Sequence, residues 1–180
     1  ARGRELLFVG RLVSDKGVDV LLRALGILKQ QNISACLTII GCGPEEANLR
    51  ALACELGLGQ AVTFAGETVG PELAELMNHH QVIVIPSRRP EPFGIVALEG
   101  IACGCIGVGS KEGGLSETIG NCGMTFRNGD GQELADRLRT LLSDSQMGEK
   151  FRAAAPAHLE QFRAQTVAQR YLALLHELAA

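Results

Sequence analysis

The 180 residues are enough for one ordinary domain with a buried core, and a composition of 46% apolar and 21% charged residues is typical of a globular protein. Aromatic residues make up only 4% of the chain and tryptophan is absent, which argues against a carbohydrate-binding module built on exposed aromatic rings. The net charge of −3 provides no general attraction to nucleic acid or to an acidic membrane surface, so no nucleic-acid partner is expected and any anionic ligand must be held by local positive charge.

Short apolar runs alternate with amphipathic stretches along the whole chain. Six runs have the length and bounding residues of buried strands, the last being the weakest: 6–10, 37–41, 62–65, 82–86, 106–109 and 123–126. Four helical stripes lie between or after them: Val18, Leu21, Leu22, Leu25 and Leu28; Leu49, Leu52, Ala53 and Leu56; Leu73, Leu76 and Met77; Leu134, Leu138, Leu141 and Leu142. Residues 167–178 predict a last amphipathic helix with no strand after it. This alternation predicts a doubly wound, Rossmann-like α/β domain with a parallel sheet covered on both faces.

The segments that follow the predicted strands are rich in glycine, proline and charged residues. They are 10–17, 41–44, 66–68, 86–94 and 109–114. Glycine is common in tight turns after strands, so each segment alone has a purely structural interpretation. In doubly wound sheets, however, ligands bind beyond the carboxyl ends of the strands, where glycines and helix N-termini let backbone N–H groups approach an anion. Their convergence on one edge therefore predicts a ligand site.

Lys16 illustrates why an anionic ligand is expected. Ser14 or Asp15 is a suitable N-cap, which would place Lys16 in the first turn of the following helix, where a cation opposes the helix dipole. A phosphate shared by Arg11, Lys16 and the helix terminus would resolve this conflict. A solvated surface lysine is the alternative, and the spacing alone favours neither.

Glu91 and Glu99 form an acidic pair at the same edge. Glu91 lies in a Pro-Glu-Pro segment ahead of Gly94, where a helix can begin, and Glu99 falls about one and a half turns into that helix, roughly 8 Å along its axis. Two carboxylates separated in this way could bind the two ends of an extended ligand that has paired hydroxyls and an anionic middle, as a nucleotide sugar has. One capping glutamate and one solvated glutamate are the alternative.

The segment Glu91-Pro-Phe-Gly-Ile-Val-Ala-Leu-Glu99 resembles the E-x7-E element of family 4 glycosyltransferases, which have the two-domain GT-B-type fold. Four more elements of that family follow the same order along the chain: Gly10-Arg11-Leu12 with Lys16-Gly17, Gly41-x-Gly43-Pro44, Pro86-Ser87, and Gly113-Gly114-Leu115-x-Glu117. The resemblance covers the whole chain but only the C-terminal domain of such enzymes. Residues 1–180 would be the nucleotide-sugar-binding domain, and the N-terminal acceptor-binding domain would be absent. The start, without Met and almost directly in a strand, agrees with a domain cut from a longer protein.

The resemblance implies roles for the matching residues. Arg11 and Lys16 would hold the donor diphosphate and stabilise the leaving nucleotide, and Glu91 would bind hydroxyls of the donor sugar, so these three are the expected catalytic residues. Glu99 would accept hydrogen bonds from the ribose, and residues 66–69 would lie against the base. The expected donor-binding residues are Gly10, Gly43, Gly66, Glu67, Thr68, Pro92, Phe93, Gly94, Ile95, Val96 and Glu99.

The resemblance also implies the reaction, which is transfer of a sugar from a UDP-, GDP- or ADP-sugar with retention at the anomeric carbon. UDP-glucose is the first expectation, from its frequency as a donor in the family. Retaining glycosidases place two carboxylates about 5 Å apart, closer than the separation expected here, so front-face attack is favoured over a covalent intermediate. No cofactor and no metal are expected, since the sequence has no D-x-D cluster. This chain alone should bind donor without transferring sugar, and any peripheral membrane association would come through the missing half.

Gly100 and Ile106 depart from the family pattern, which usually has Ala and often Pro at these positions. Neither change removes a polar contact, although a glycine weakens the helix that carries Glu99 by about 0.5–1 kcal/mol relative to Ala. The last helix, 167–178, is expected to expose apolar surface that the missing domain would cover.

Three other functions share parts of this pattern. A dinucleotide dehydrogenase should have G-x-G-x-x-G after the first strand, but that turn reads Gly10-Arg-Leu, and the only G-x-G-x-x run, at Gly41, has Glu46 at the third glycine position. Half of a nucleotide-sugar epimerase and a non-catalytic module that binds nucleotide sugars remain as alternatives. A second Rossmann-like half ahead of this chain in the full gene would favour the transferase.

The cysteines bear on the compartment. They form no CxxC pair and no zinc-ligand spacing with histidine: Cys36, Cys42, Cys54, Cys103, Cys105 and Cys122. Most lie in apolar runs, where a free cysteine behaves as a small hydrophobic residue. There is also no signal-peptide pattern and no apolar run long enough to cross a bilayer, so a reduced, cytoplasmic location is expected.

Overall fold

The structure, a computed structural model, describes residues 5–179. Its strands are β1 (Glu5–Val9), β2 (Cys36–Ile40), β3 (Val62–Gly66), β4 (Val82–Ile85), β5 (Ile106–Ser110) and β6 (Gly123–Phe126). All pair in parallel, in the order β3-β2-β1-β4-β5-β6. The predicted doubly wound, Rossmann-like fold is confirmed, and every predicted strand is present within one residue of its predicted bounds.

Helices cover both faces of the sheet. They are α1 (Val18–Gln30), α2 (Glu46–Glu55), α3 (Gly70–His79), α4 (Ile95–Ala102), α5 (Leu115–Ile119), α6 (Gly131–Ser143), α7 (Ser145–Glu160) and α8 (Ala164–Ala179). The four predicted stripes lie on α1, α2, α3 and α6, and the predicted tail helix corresponds to α8. No stripe marks α5, which is too short for one, or α7, whose buried residues are Gly148, Ala155 and His158 and not large apolar side chains.

The core is divided between the two faces by the alternation along each strand. Leu6 and Phe8 of β1 belong to the cluster formed with α1, α2 and α6, whereas Leu7 belongs to the cluster formed with α3, α4 and α5. On the second face α4 lies close to the sheet, because a Cβ added at Gly100 would sit 2.7 Å from the side chain of Ile83. The departure from the family pattern at Gly100 thus has a packing reason.

The strand order reverses between β1 and β4, which are neighbours in the sheet. The chain leaves β1 toward α1 on one face and leaves β4 toward α4 on the other. The helices that follow these strands therefore lie on opposite faces, and the sheet edge between them forms a crevice, the position at which doubly wound sheets bind ligands.

The last helix, α8, exposes the apolar side chains Tyr171, Leu172, Leu174, Leu175 and Leu178. The expectation of exposed apolar surface on the tail helix is confirmed, while its covering by another domain stays a prediction. Among residues 5–179, no helix is both long and apolar enough to cross a membrane.

The six cysteines form no disulfide bond with one another. Cys105 and Cys122 are buried and Cys103 is half-buried, but Cys36, Cys42 and Cys54 are exposed. The interpretation of most cysteines as core residues is therefore wrong for half of them, because Cys36 on β2, Cys54 on α2 and Cys42 in the loop after β2 all face solvent.

Candidate functional site

The loops after β1 and β4 contact each other directly across the crevice. The Arg88 N–H donates to the carbonyl oxygen of Asp15 at 2.8 Å. Gly17 makes this approach possible, since its φ is +65° and a Cβ there would sit 2.0 Å from the carbonyl oxygen of Pro86. The two loops consequently behave as one unit whose spacing depends on a glycine.

Lys16 does not occupy the predicted position. Ser14–Lys16 form a single turn of 3₁₀ helix, and the left-handed Gly17 separates this turn from α1, which begins at Val18. The prediction of Lys16 in the first turn of α1, capped by Ser14 or Asp15, is therefore wrong. Lys16 is also not a solvated surface lysine, because its Nζ lies 2.5 Å from Glu91 Oε1 and its side chain is only 29% exposed.

Glu91 is the centre of the polar contacts in the crevice. Its side chain is 16% exposed, and its Oε1 accepts hydrogen bonds from Lys16 Nζ and from Ser87 Oγ, each at 2.5 Å. Burial raises the pKa of Glu91, but the hydrogen bonds from Lys16 and Ser87 and the positive charge of Lys16 outweigh it and hold the pKa below its ordinary value. Glu91 is thus an ionised hydrogen-bond acceptor at neutral pH.

Ser87 was missed as a site residue by the sequence interpretation, which named it only as part of a family element. It is 1% exposed directly after β4 and donates to the carboxylate four residues further along. A hydroxyl at the end of a central strand, four residues before a glutamate flanked by prolines, is the signal that could have identified it.

The backbone of residues 91–94 rests on the turn before α5. The Gly114 N–H donates to the Glu91 carbonyl oxygen at 2.7 Å, and Gly113 forms a parallel bridge with Glu91. Gly94 then takes a left-handed conformation, φ +81°, as the N-cap of α4, which confirms the helix start predicted there. Phe93 and Ile95 on either side of it are exposed.

The remaining predicted residues line the edge in different ways. Glu99 is exposed in the second turn of α4, Pro92 is exposed, and the side chain of Val96 packs into the core. Arg11 is exposed after β1 and has no ion-pair partner within the described part of the chain. Arg88 and Arg89, by contrast, are paired with Asp19 and Asp15.

The loops after β2 and β3 form the far side of the edge. Gly43, an expected donor-binding residue, makes a close contact within the protein: a Cβ there would lie 2.3 Å from the Leu12 carbonyl oxygen. Gly66 and Glu67 are exposed and Thr68 is half-buried. Gly10, after β1, is half-buried, and its N–H donates to the carbonyl oxygen of Ile40 at the end of β2.

His79 and His80 both form hydrogen bonds within the protein. His79 hydrogen-bonds to the Glu75 carbonyl oxygen, and the buried His80 contacts the Leu76 carbonyl and the Thr38 hydroxyl. Across residues 5–179, no group of three or more His, Cys, Asp or Glu side chains is arranged to hold a metal ion.

The sequence model of the family described as "Glycosyl transferases group 1" matches residues 2–158. A D-inositol 3-phosphate glycosyltransferase of Paenarthrobacter aurescens is 37% identical over 163 residues, which is 87% of this chain and 40% of that protein. A glycogen synthase of Mycobacterium tuberculosis is 37% identical over 176 residues, or 94% of this chain and 42% of that protein. The chain therefore spans about 40% of the length of these relatives.

Solved structures agree with the sequence comparison. HepE of Anabaena, in a crystal structure with UDP-glucose, is 27% identical and superimposes with a TM-score of 0.84 over 97% of this chain and 49% of that chain. The same protein has been crystallised with UDP alone. A sucrose-phosphate synthase of Thermosynechococcus elongatus is 29% identical, with a TM-score of 0.81 over 97% of this chain and 45% of that chain.

Proposed function

The chain belongs to the group 1 glycosyl transferases, and from that premise we propose that it is the donor-binding domain of a retaining glycosyltransferase. The observation that carries this proposal is the cluster of Lys16, Ser87 and Glu91, a cation and an ionised acceptor held together at the switch point of the sheet. A cation next to a carboxylate is suited to a ligand in which a diphosphate joins a polyhydroxyl sugar.

Arg11 and Lys16 supply the positive charge for the diphosphate. Arg11 is exposed beside the crevice, and the Lys16 ammonium has three N–H donors, of which Glu91 engages one. Lys16 can therefore bind a phosphate oxygen while it keeps its bond to Glu91. Charge-assisted bonds of this kind are about twice as strong as neutral ones, which matters in a chain whose net charge of −3 attracts no anion by itself.

Glu91 accepts hydrogen bonds from the donor sugar. Lys16 and Ser87 both use Oε1, so Oε2 is left to face the sugar hydroxyls. The N-terminus of α4, with the amides of Phe93, Gly94 and Ile95, lies next to it and favours the anionic part of the same ligand.

The nucleoside lies toward the other side of the edge. Glu99 accepts from the ribose diol, residues 66–69 contact the base, and Gly10, Gly43, Pro92 and Val96 contribute backbone to the lining. UDP-glucose is the donor we propose first, supported by the likeness to HepE of Anabaena, which has been crystallised with it.

The reaction follows from these positions. The bond between the anomeric carbon and the diphosphate oxygen breaks with its electron pair going to the diphosphate, where Arg11 and Lys16 stabilise the charge. The acceptor oxygen bonds to the same face of the anomeric carbon, and its proton passes to the departing phosphate oxygen. Glu91 orients the sugar and is not a nucleophile. The positive charges of Arg11 and Lys16 stabilise the departing diphosphate as a bound metal ion would, so no metal is proposed.

A calorimetric panel of UDP-, GDP- and ADP-glucose with the matching diphosphates tests the donor assignment. We expect UDP-glucose and UDP to bind, with affinities that EDTA leaves unchanged, and the other ligands not to bind. Binding that requires Mg²⁺ or Mn²⁺ would contradict the metal-free site, and no binding of any pair would overturn the proposed function.

Transfer is expected to be undetectable with the 180-residue chain, because positioning an acceptor next to the anomeric carbon is worth about 7–11 kcal/mol of the barrier and we assign that role to another domain. Donor binding combined with transfer to an acceptor by this chain would show a complete enzyme. Donor binding without transfer, even by the full-length protein, would favour the non-catalytic module.

A further inference from the structure

The peptide between Phe93 and Gly94 is hydrogen-bonded to a residue of α5. The carbonyl oxygen of Phe93 accepts a hydrogen bond from the hydroxyl of Thr118 at 2.5 Å. The same hydroxyl lies 3.0 Å from the Gly114 carbonyl oxygen, but that carbonyl already accepts the Thr118 N–H of the helix, also at 3.0 Å. A hydroxyl has one proton to donate, and the shorter contact identifies Phe93 as its acceptor.

Thr118 is in turn held from α7. It is fully buried, and its own carbonyl oxygen lies 2.7 Å from Nε2 of His158, which is itself 9% exposed. Because a carbonyl only accepts, His158 carries its proton on Nε2 and donates. The His158 ring is seated against Gly120, where a Cβ would come within 2.4 Å of it.

A second contact reaches the same residue from the end of α7. The ring of Phe162 lies edge-on to His158, with centroids 5.1 Å apart, and edge-on to Phe93, with centroids 5.7 Å apart. Phe93 is thus held through its backbone by Thr118 and through its ring by Phe162. Thr118 and Phe162 both contact His158.

The direction of the Phe93 carbonyl determines the direction of the next N–H group. In a trans peptide the C=O and the N–H of the following residue point in opposite directions, and no peptide bond among the described residues is cis. A Phe93 carbonyl directed at the buried Thr118 therefore directs the Gly94 N–H to the opposite side of the loop, away from the interior. Glycine adopts both signs of φ, so Gly94, at φ +81°, does not by itself fix the orientation of this peptide, and the hydrogen bond from Thr118 is what holds it.

We propose that Thr118 is a positioning residue for the donor sugar: its hydroxyl fixes the Phe93–Gly94 peptide so that the Gly94 N–H is aimed at the donor, with His158 supporting it. The proposal rests on the proposed function, since it assigns a direction to an amide of that site. Thr118 touches no ligand, and its effect should be confined to the part of the donor that the amide reaches, which is the sugar and its phosphate and not the nucleoside.

The test compares UDP-glucose with UDP by calorimetry on the 180-residue chain. Thr118→Val keeps the shape of the side chain and removes the hydroxyl, and we expect it to weaken UDP-glucose by about 5- to 10-fold, the range for one hydrogen bond, while UDP changes less than twofold. Thr118→Ser restores the hydroxyl and should recover the wild-type ratio of the two affinities. His158→Leu, which leaves the hydroxyl in place, should lower UDP-glucose binding by a smaller factor, about 2- to 3-fold.

Several results would overturn the proposal: an unchanged affinity ratio in Thr118→Val, an equal loss of UDP and UDP-glucose, or a Ser variant that behaves like Val. Should Thr118→Val fail to fold in a thermal melt, the His158→Leu ratio decides in its place, and an unchanged ratio there overturns the proposal. The proposed function fails on a different observation, namely that the wild-type chain binds neither UDP nor UDP-glucose. In that case the positioning role of Thr118 is also wrong. A wild-type chain that binds both, with ratios unaffected by the variants, defeats only the Thr118 assignment.

Discussion

The two sides of the sheet edge are built differently. On the β1–β4 side the loops interlock: Glu91 accepts hydrogen bonds from both Lys16 and Ser87, and Gly17 lies against the Pro86 carbonyl with no space for a side chain. On the β2–β3 side, Gly66 has nothing within 4 Å of the position a Cβ would take, and Val69 is 71% exposed. The side assigned to the diphosphate and sugar is therefore preorganised, whereas the side assigned to the base is open. Under the proposed function, specificity for the base would come from few contacts, and binding strength from the interlocked side.

The largest effect should come from Gly17→Ala, which breaks the interlocked side. Gly70→Ala is the matched control, because Gly70 has the same φ of +65° but open space around its Cβ position. A left-handed alanine costs about 1–2 kcal/mol in both variants, and the clash with Pro86 adds about 1–3 kcal/mol to Gly17→Ala alone. Chemical denaturation measures both free energies of unfolding, and equal losses would show that the two loops are not in tight contact.

The next effect concerns the two cations. Arg11→Ala and Lys16→Ala are each expected to weaken nucleoside-diphosphate binding by about 1.5–3 kcal/mol, the range for a charge-assisted hydrogen bond, and wild-type binding should weaken with added salt. Lys150→Ala, an exposed lysine of α7, is the control and should have no effect. If UDP, GDP and ADP affinities are unchanged in both site variants, these residues do not bind phosphate.

The two carboxylates should separate by ligand. Glu91→Gln should reduce binding of UDP-glucose and spare UDP, because Glu91 is assigned to the sugar. Glu99→Gln should weaken both ligands, because the ribose is common to them, by about 1–2 kcal/mol. Identical responses of the two variants to both ligands would mean that the carboxylates do not bind opposite ends of the donor.

The smallest effect is a pH dependence of the free energy of unfolding that arises from Glu91, on the interlocked side. Since the pKa of Glu91 is held below its ordinary value of 4.5 in the folded protein, its stabilising contribution is complete above pH 4.5 and is lost as the pH falls through the lower folded value. The unfolding free energy of the wild type should therefore converge on that of Glu91→Gln as the pH drops below 4.5. Glu99→Gln is the control, and a constant difference between wild type and Glu91→Gln over this range would contradict the lowered pKa.

Local patterns in the sequence were sufficient for most of the architecture. The apolar runs located all six strands, because buried parallel strands are short and continuously hydrophobic, and the stripes located the helices whose buried faces carry leucine. They did not locate α7, which buries Gly148, Ala155 and His158, since small and polar residues leave no hydrophobic periodicity. The motif order identified which loops meet at the edge, and the family followed from it.

The contacts inside the crevice could not be read from local patterns. Lys16 and Glu91 are 75 residues apart, Thr118 and Phe93 are 25 apart, and His158 and Thr118 are 40 apart. The sequence predicted a conflict between Lys16 and a helix dipole that does not exist, because Gly17 ends the turn before α1 begins. It also gave no reason for Gly17, whose constraint is the carbonyl of Pro86 in another loop.

The sequence by itself therefore determined the strands, the leucine-rich helices and the candidate loops, which depend on spacing within one segment, and the family, which depends on the order of motifs along the chain. The tertiary structure alone decided that Lys16 pairs with Glu91, that Ser87 donates to Glu91 and Thr118 to the Phe93 carbonyl, and which glycines are required by contact and not by φ. These features depend on which strands become neighbours: β4 lies beside β1 although two strands separate them along the chain. Hydrogen bonds act over about 3 Å, so the partner of a side chain is known only once the strand order has brought the loops together.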